Sequence, residues 1–402
     1  MTDDAARPGP GGLTIRRATA ADARVSARLS QEAFGGRLAD PPADPSAPHK
    51  VTHLAELGGR VVGKAADRPL TSWYGGKPVP TCGIASVVVQ PEMRGRGIAR
   101  EVLRHVLGQA AKRAPLATLF PTAPGIYRGL GFGYVGAMTW VELATADLTG
   151  LAAPEVTLRR VEPDDLGALA EVYDAWASQH DGPLRRSPDD HMIPDDLDAH
   201  RFTLAVDGGG RACGYAVWRR AGSLHDGSRL EVDDLVALDA ASGRALLASL
   251  GSLASAAPRV RILGAGEDLL PWLLPSARYA VVDRRPYHLA ILDVAGAFEA
   301  RGYGAGVAPS ATASVRVSGL PLAEQDGAYR IEIAEGRARV DRLGDAVGQD
   351  LPRLSGQGLA MLYAGAPPAD LRLCGAWTGP EGDLPALAAA CGGRRFAIRD
   401  YF

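Results

Sequence analysis

Two stretches of this chain open in the same way, and this repeat constrains the fold more than any other feature. Thr14-Ile15-Arg16-Arg17-Ala18 and Thr157-Leu158-Arg159-Arg160-Val161 both have a strand pattern, and a helical spacing of apolar residues follows each. A chain of 402 residues is expected to form two or three domains. The second stretch begins where a second domain is expected, so it indicates a duplication. The match is short and rich in arginine, which leaves chance as the alternative.

The composition excludes several classes of protein. Lys and Arg total 44 and Asp and Glu 46, for a net charge of −2, which argues against nucleic-acid and anionic-membrane partners. No stretch approaches the roughly 20 apolar residues that span a bilayer, and the start has no basic segment before an apolar run. No two of the four cysteines are close enough for a Cys-x-x-Cys site, and four in a chain of this length do not indicate a disulfide framework. We therefore expect a cytoplasmic, multidomain protein.

The last third of the chain has a different pattern. Strand patterns at 289–294, 329–333 and 338–340 are followed by helical patterns at 356–363 and 385–390. The chain as a whole is predicted to be of the α+β (mixed α/β) class. The predicted domains are 1–150, 151–288 and 289–402.

A strand, a glycine loop and a helix follow one another at residues 86–110. The β-branched strand ends before Pro91, the loop reads Arg94-Gly95-Arg96-Gly97, and the helix buries one apolar face. Glycines let a backbone approach a ligand, and the free N–H groups of a helix N-terminus attract phosphate oxygens. The residues of an ATP-binding P-loop and of a dinucleotide fingerprint are missing. The remaining alternative is a strand-to-helix turn with no ligand.

This segment resembles the acyl-CoA loop of the GCN5-related N-acetyltransferases. The pattern Val-x-Pro-x-x-Arg-Gly-x-Gly-Ile-Ala fits at 89–99, although Glu92 stands where the family usually has Gln or Arg. The resemblance implies acetyl-CoA as co-substrate, its pyrophosphate on the loop and its pantetheine along a splayed strand. The donor-binding residues predicted on this basis are Val87, Val88, Val89, Arg94, Gly95, Arg96, Gly97, Ile98, Ala99, Arg100 and Thr122.

A second segment narrows the resemblance to one family. Residues 120–134, which contain Ile126-Tyr127 and Gly131-Phe132-Gly133, are similar to a segment of Eis-type ("enhanced intracellular survival") acetyltransferases. Residues 287–294 and 358–365 and the final Phe402 are also similar to that family. It implies two tandem acetyltransferase-like domains, a third domain resembling sterol carrier protein, and a homo-oligomer, often a hexamer. It also implies a polycationic acceptor amine such as an aminoglycoside.

The same resemblance assigns two catalytic roles. Tyr127 is the candidate general acid, because a phenol can protonate a departing thiolate. The α-carboxylate of Phe402 is the candidate proton acceptor, directly or through water, and Asp400 is the alternative. A frayed chain end is the opposing interpretation for Phe402. We expect burial instead, because the final residues Phe396, Ile398, Tyr401 and Phe402 are apolar.

Other residues are expected to have structural roles. Cys82 has no histidine near it in sequence and is interpreted as a small buried hydrophobe. The second copy lacks the glycine–arginine loop, and acidic residues precede its helix, so we predict that it binds no CoA. Widely spaced histidines predict no metal site. An acidic cluster is interpreted as a solvated loop that could attract polyamines; its members are Asp181, Asp189, Asp190, Asp195, Asp196 and Asp198.

Three functions remain open on the sequence. The first is transfer of an acetyl group to a small-molecule amine, and the second is acetylation of lysine in a protein or peptide. The third is a non-catalytic protein that binds a lipid or another small molecule through its last domain.

Overall fold

The computed structural model describes residues 7–8, 12–151, 153–186, 200–223, 227–264, 269–274, 278–303, 310–344 and 350–402. The helices are α1 (Ala23–Phe34), α2 (Ile98–Ala110), α3 (Pro124–Arg128), α4 (Leu166–Ala177), α5 (Ala240–Gly251), α6 (Leu270–Leu273), α7 (Val294–Ala300), α8 (Gly356–Tyr363), α9 (Pro368–Leu373) and α10 (Leu384–Cys391). The strands are β1 (Arg7–Pro8), β2 (Leu13–Arg17), β3 (Val51–Leu57), β4 (Arg60–Tyr74), β5 (Lys77–Val89), β6 (Leu116–Leu119), β7 (Gly133–Ala144), β8 (Thr157–Arg160), β9 (Arg201–Val206), β10 (Ala212–Ala221), β11 (Arg229–Ala237), β12 (Arg259–Leu263), β13 (Ala280–Ile291), β14 (Ala311–Ser318), β15 (Gly327–Ala334), β16 (Arg337–Leu343), β17 (Arg353–Ser355) and β18 (Trp377–Thr378).

The chain forms two compact units. The first contains Met1–Val135, Tyr287–Arg394 and Phe402, and the second contains Gly136–Pro286 and Arg395–Tyr401. Among the helices of the described ranges, none is both long and apolar enough to cross a membrane.

The sheet of the first unit runs β1-β2-β3-β4-β5-β6 and continues with the last residues of β13. Its neighbours are antiparallel except β5 and β6, which are parallel and are joined through α2. Helix α2 begins at Ile98 and buries Ile98, Val102, Leu103, Val106, Leu107 and Ala110, the stripe predicted from the sequence, with Ala99 partly buried beside it. Thr19 and Asp22 form a capping box before α1, in which the Thr19 backbone N–H donates to Asp22 Oδ2 at 2.8 Å.

The second unit repeats this order. Its sheet runs β7-β12-β11-β10-β9-β8, and only β11 and β12 are parallel, joined through α5. Elements β2-α1-β3-β4-β5-α2-β6 of the first copy and β8-α4-β9-β10-β11-α5-β12 of the second thus follow one plan. This shared order confirms the predicted duplication. Each copy is followed by one further strand, and β7 pairs with β12 while β13 pairs with β6.

The first unit also contains a five-stranded sheet, ordered β16-β15-β14-β17-β18, with α7 packed on β16 and α10 on β14. The predicted helix at 356–363 is α8, and the one at 385–390 lies within α10. Arg301 is fully buried here, and its guanidinium donates to the carbonyls of Tyr363 and Cys391, the last residues of α8 and α10. A cation satisfies helix C-terminal carbonyls in this way, so Arg301 ties the two helices together.

Candidate active site

A bulge interrupts the pairing of β4 with β5. Lys64 pairs with Val88 and Ala66 with Ala85, so two residues, Ser86 and Val87, stand opposite Ala65 alone. Ser86 has φ +51°, a left-handed conformation that is uncommon for a residue with a side chain. This bulge could not be predicted from the sequence, because it has serine where a glycine would have marked a left-handed residue.

Strands β5 and β6 separate beyond this point. Their pairing ends at Gly83 with Thr118, whereas β5 continues to Val89. The main-chain edge of residues 84–89 is therefore not paired with β6. Such an edge offers N–H and C=O groups to a ligand that lies along the strand.

The glycine loop joins the end of β5 to α2. Gly95 and Gly97 have φ +77° and +79°, which favour glycine, and a Cβ at either would meet nothing within 4 Å. Gly97 is the N-cap of α2, and no side chain caps this helix. The first-turn N–H groups are thus available to an anion. Arg94 donates from Nε to the Val89 carbonyl at 3.3 Å, which orients its guanidinium beside the loop.

Tyr127 lies in α3 and is buried, with 4% of its surface exposed. Burial raises the pKa of its phenol, and a side-chain hydrogen bond with Thr122 opposes part of that rise. The phenol is therefore protonated at neutral pH and can donate a hydrogen bond. The ring contacts Phe132 edge-on at 6.1 Å between centroids, which fixes its plane.

One cavity of about 730 Å³ brings most of the predicted residues together. Its lining contains Val87, Val88, Val89, Arg94, Gly95, Gly97, Ile98, Ala99, Arg100, Thr122 and Tyr127. Arg96 is exposed and is not part of this lining. The sequence reasoning missed Ala33, Phe34, Met93, Ala123 and Ile126. Three of these lie inside the two motif segments, whereas Ala33 and Phe34 end α1 and reach the cavity only through tertiary packing.

Phe402 belongs to the first unit and is not among the residues that line this cavity. Its half-buried ring forms an aromatic cluster with Phe120, at 5.6 Å, and Tyr287, at 6.3 Å between centroids. A Cβ built on Gly83 would lie 3.0 Å from Phe402 Cε2, so the ring covers the strand β5 backbone. The side chain of Phe402 is packed, which opposes the interpretation of a frayed end.

The residues before Phe402 correct part of the prediction. Ile398 is buried as expected, but the Tyr401 side chain is 56% exposed. Asp400 is buried, and it accepts hydrogen bonds from Arg186 Nε and from the Tyr173 hydroxyl, both at 2.9 Å. Burial raises the pKa of Asp400, and the positive charge of Arg186 opposes the rise. This carboxylate is already paired within the second unit, which weakens it as the alternative base.

The second copy has an acid at the N-terminus of its corresponding helix. Asp239 is the N-cap of α5, and its side chain accepts from Ser242 N at 2.7 Å and from Ser242 Oγ at 2.8 Å. A carboxylate in this place satisfies the helix N-terminus and repels a phosphate. The geometry supports the prediction that this copy does not bind CoA.

The remaining candidates have mixed outcomes. Cys82 is fully buried in the core of the first unit, and burial raises the pKa of its thiol well above the ordinary value, as expected of a small hydrophobe. Asp181 is also fully buried, in a backbone bridge with Phe396, so it is not part of a solvated loop. Its predicted partners Asp189, Asp190, Asp195, Asp196 and Asp198 lie outside the described residues. Across the described ranges, no group of three His, Cys, Asp or Glu side chains is arranged to hold a metal.

Comparison with known proteins assigns this architecture to a class. Residues 14–135 and residues 174–291 each match a family profile described as "Acetyltransferase (GNAT) domain". The protein is therefore an acetyltransferase with two tandem domains of the GCN5-related (GNAT) type, a class that uses acetyl-CoA.

The relatives define the family. N-acetyltransferase Eis of Mycobacterium tuberculosis (strain ATCC 25177 / H37Ra) is 31% identical over 329 residues, which are 77% of this chain and 77% of that protein. The chain belongs to the Eis family of N-acetyltransferases. A GCN5-related N-acetyltransferase from Kribbella flavida superposes with a TM-score of 0.81 at 29% identity, covering 97% of this chain and 98% of its own. Eis1 from Mycobacterium abscessus has the same fold, with a TM-score of 0.76 at 21% identity, covering 97% of this chain and 100% of its own.

Proposed function

We propose that this acetyltransferase moves an acetyl group from acetyl-CoA directly to a primary amine of a polycationic small molecule such as an aminoglycoside. The observation that carries the proposal is the single cavity lined by the glycine loop, the unpaired edge of β5 and the phenol of Tyr127. The aminoglycoside is an inference from family membership. Proximity of donor and acceptor supplies much of the rate in such a direct transfer.

The residues of this cavity suit acetyl-CoA, which supplies a thioester carbon for the amine to attack. The N–H groups of the loop and of the first turn of α2 bind the pyrophosphate in this proposal. Arg94, Arg96 and Arg100 add positive charge there. Val87, Val88 and Val89 hold the pantetheine through their main chain, and Thr122, Ile98 and Ala99 complete the donor site.

Tyr127 is proposed to stabilise the sulfur that leaves. The side-chain hydrogen bond with Thr122 lowers the pKa of the phenol, as a donor to the phenol oxygen does, and this arrangement leaves the phenol hydrogen for the sulfur. A raised pKa keeps that hydrogen in place before the reaction. The apolar side chains of Ala123 and Ile126 exclude water beside it, which strengthens the hydrogen bond.

The terminal carboxylate of Phe402 is proposed to accept the proton that the amine loses, directly or through one water. A terminal carboxyl has an ordinary pKa of about 3.3–3.7, so it is ionised at neutral pH and ready to accept. Packing of the ring against Phe120, Tyr287 and Gly83 holds the residue to one place. The proton leaves the nitrogen as the new amide bond forms, and a separate proton reaches the sulfur.

Release of free thiol from acetyl-CoA tests this function with kanamycin, spermine and a lysine peptide as acceptors. Kanamycin-dependent release that is lost in Tyr127→Phe supports the proposal. Release with the peptide alone makes the protein a lysine acetyltransferase. Binding of acetyl-CoA without any release points to a different acceptor, and no binding refutes the proposed donor site.

One added glycine tests Phe402 more sharply than deletion does. The extension keeps the aromatic ring in the chain but replaces the Phe402 carboxylate with an amide and moves the charge one residue away. The variant with one glycine added after Phe402 should lose turnover and still bind acetyl-CoA. Full activity in this variant excludes the Phe402 carboxylate as the base.

The remaining assignments are also proposals. The domain limits 1–150, 151–288 and 289–402 remain a prediction, and the sheet β14–β18 with its helices supports a mixed third domain. We infer from the family that this domain resembles sterol carrier protein and that the protein is a homo-oligomer such as a hexamer. We infer a cytoplasmic location from the composition. Mass photometry of the purified protein measures the oligomer.

A further inference from the structure

The second unit contains its own cavity, of about 300 Å³, on one face of its sheet. Alternate residues Val141 and Leu143 of β7 and Val260 and Ile262 of β12 belong to the core formed with α5. Side chains of a strand alternate between faces, so the residues between them point to the opposite face. That face carries the cavity, which is lined by Met138, Trp140, Arg219, Glu231, Asp233, Arg261, Leu263, Arg285, Arg399 and Tyr401.

Two of the four arginines in the lining are fully paired. Arg219 contacts both Glu231 and Asp233. Arg399 donates to Asp234 Oδ1 at 3.2 Å and to the carbonyl of Leu235. These guanidinium groups are neutralised by carboxylates of β11 and are part of the wall.

The other two arginines share one carboxylate. Arg285 Nε donates to Asp283 Oδ2 at 3.1 Å, whereas Arg261 approaches the same oxygen only to 3.8 Å, beyond hydrogen-bond distance. Arg261 Nε is buried, and no hydrogen-bond partner for it lies in the described ranges. Two positive charges therefore face one negative charge, and a buried N–H donor is left unsatisfied. Such a donor costs free energy unless a ligand or water accepts from it.

Aromatic rings accompany both of these arginines. The Arg261 guanidinium carbon lies 5.0 Å from the centre of the Trp140 ring, and that of Arg285 lies 4.9 Å from the Tyr401 ring. A guanidinium stacked on a ring keeps its edge N–H groups free to bind an anion. Met138 and Leu263 form an apolar part of the cavity wall. The exposure of Tyr401, unexpected from the sequence, is explained if its ring borders a binding site.

We propose that this cavity binds a small molecule that carries one anionic group, a carboxylate or a phosphate, on a flat aromatic body. The anion balances the excess charge of Arg261 and Arg285 and accepts the hydrogen bond from Arg261 Nε. The aromatic body contacts Trp140 and the apolar wall. The volume is at the lower end of the range for small-molecule sites. This inference does not depend on acetyl transfer.

Isothermal titration of the full chain, without acetyl-CoA, tests the site. The probes are indole-3-acetate, phenyl phosphate and the neutral indole-3-acetamide. Either anion should bind at least about tenfold more tightly than the amide, because a charge-assisted bond to arginine is lost with the charge. The better of the two anions identifies the group as carboxylate or phosphate.

Two variants and one control localise the binding. Arg261→Gln should weaken the anion by about tenfold or more, and Trp140→Leu should weaken both indole probes. Arg259→Gln should have no effect, because Arg259 lies on the same strand and face but is paired with Glu142 outside the lining. Melting curves check that each variant folds. Trp140→Leu provides the test if Arg261→Gln unfolds.

Three results overturn the proposal. The first is no binding of either anion, and the second is equal binding by Arg261→Gln and the parent chain. The third is a change in oligomer size in Arg261→Gln with anion binding unchanged, which would make the cluster a contact between subunits.

Discussion

The Phe402 ring lies directly against the backbone of Gly83. A methyl carbon on Gly83 would be 2.5 Å from Leu70 Cδ1, 3.0 Å from Cε2 and 3.2 Å from Cδ2 of that ring, all closer than ordinary van der Waals contact. Gly83 is also the last residue of β5 that pairs with β6. The absence of a side chain at this position lets an aromatic ring cover the strand where the two neighbours begin to separate.

Gly83→Ala should therefore lower turnover at least about tenfold, since the methyl group displaces both Leu70 and the ring, and the ring carries its carboxylate with it. Gly83 does not line the donor cavity, so acetyl-CoA affinity should stay within about twofold. Gly108→Ala is the matched control, because its methyl carbon would meet only Leu322 Cδ2, at 4.0 Å. Thiol release and acetyl-CoA titration measure the two effects. Unchanged turnover in Gly83→Ala would contradict the proposed role of Phe402.

Tyr127→Phe should reduce kcat by about 10²–10⁴-fold, the range for a lost acid–base group, with little change in melting temperature. The phenylalanine ring fills the same buried space and still contacts Phe132. Thr122→Val should have a smaller effect, because it removes only the hydrogen bond to the phenol. Tyr134→Phe, on a residue that is 40% exposed, serves as control. A Tyr127→Phe enzyme of normal kcat would exclude the phenol from the chemistry.

Arg94→Gln should weaken acetyl-CoA binding by about tenfold, because one charge-assisted hydrogen bond to phosphate is worth roughly 1.5–3 kcal/mol. Arg104→Gln is the comparison, since Arg104 follows on α2, pairs with Glu101 at 2.9 Å and does not line the cavity. Calorimetry of the two variants at low and moderate salt separates a local contact from general attraction. Equal losses in both would refute a specific site at the loop.

His288 should titrate well below the ordinary value for histidine. Burial, followed by the positive charge of Arg128, lowers the pKa of its imidazole to about 4 from 6.5. Between these two values the unfolded chain holds a proton that the native chain lacks. The contribution of His288 to unfolding free energy therefore rises with pH across this window and falls as pH drops toward 4.

Histidine NMR titration measures this pKa in the parent chain and in Arg128→Gln. The variant should show a higher value, still below 6.5, because burial remains when the charge is gone. Arg104→Gln, which removes a charge from α2, should leave the value unchanged. A His288 pKa near 6.5 in the parent chain would contradict the burial of its ring.

Asp239→Ala should destabilise the protein by about 1 kcal/mol through loss of the helix cap, and acetyl-CoA affinity should not change. Chemical denaturation gives the first quantity and calorimetry the second. Glu171→Ala, at an exposed position of α4, controls for loss of an acidic residue in the same unit. A marked change in acetyl-CoA affinity would show that the second copy takes part in donor binding.

The apolar stripe of α2 follows from a short-range pattern in the sequence, and the structure confirms it. The predicted donor residues and Tyr127 rest on a family resemblance, and the structure brings most of them to one cavity. Contacts that depend on tertiary packing could not be predicted from the sequence. The pairing of Asp400 with Arg186 joins positions that are far apart in sequence, and the exposure of Tyr401 depends on Arg285 and the cavity beside it. The acidic residues near Asp181 in sequence predicted a solvated loop. Its burial depends on a backbone bridge to Phe396, which is far away in sequence.

The bulge at Ser86 and Val87 makes the number of residues in β5 a condition for the geometry of the proposed donor site. Removing one residue between Ala85 and Val88 would restore regular pairing with β4 and shift Val88 and Val89 to the opposite faces of the strand. Such a deletion leaves the composition of the site nearly intact and still misdirects the edge that is proposed to hold the donor. Alignments of related chains should therefore score a gap at this position as more damaging than most substitutions, and libraries for engineering should vary side chains here while keeping the length fixed.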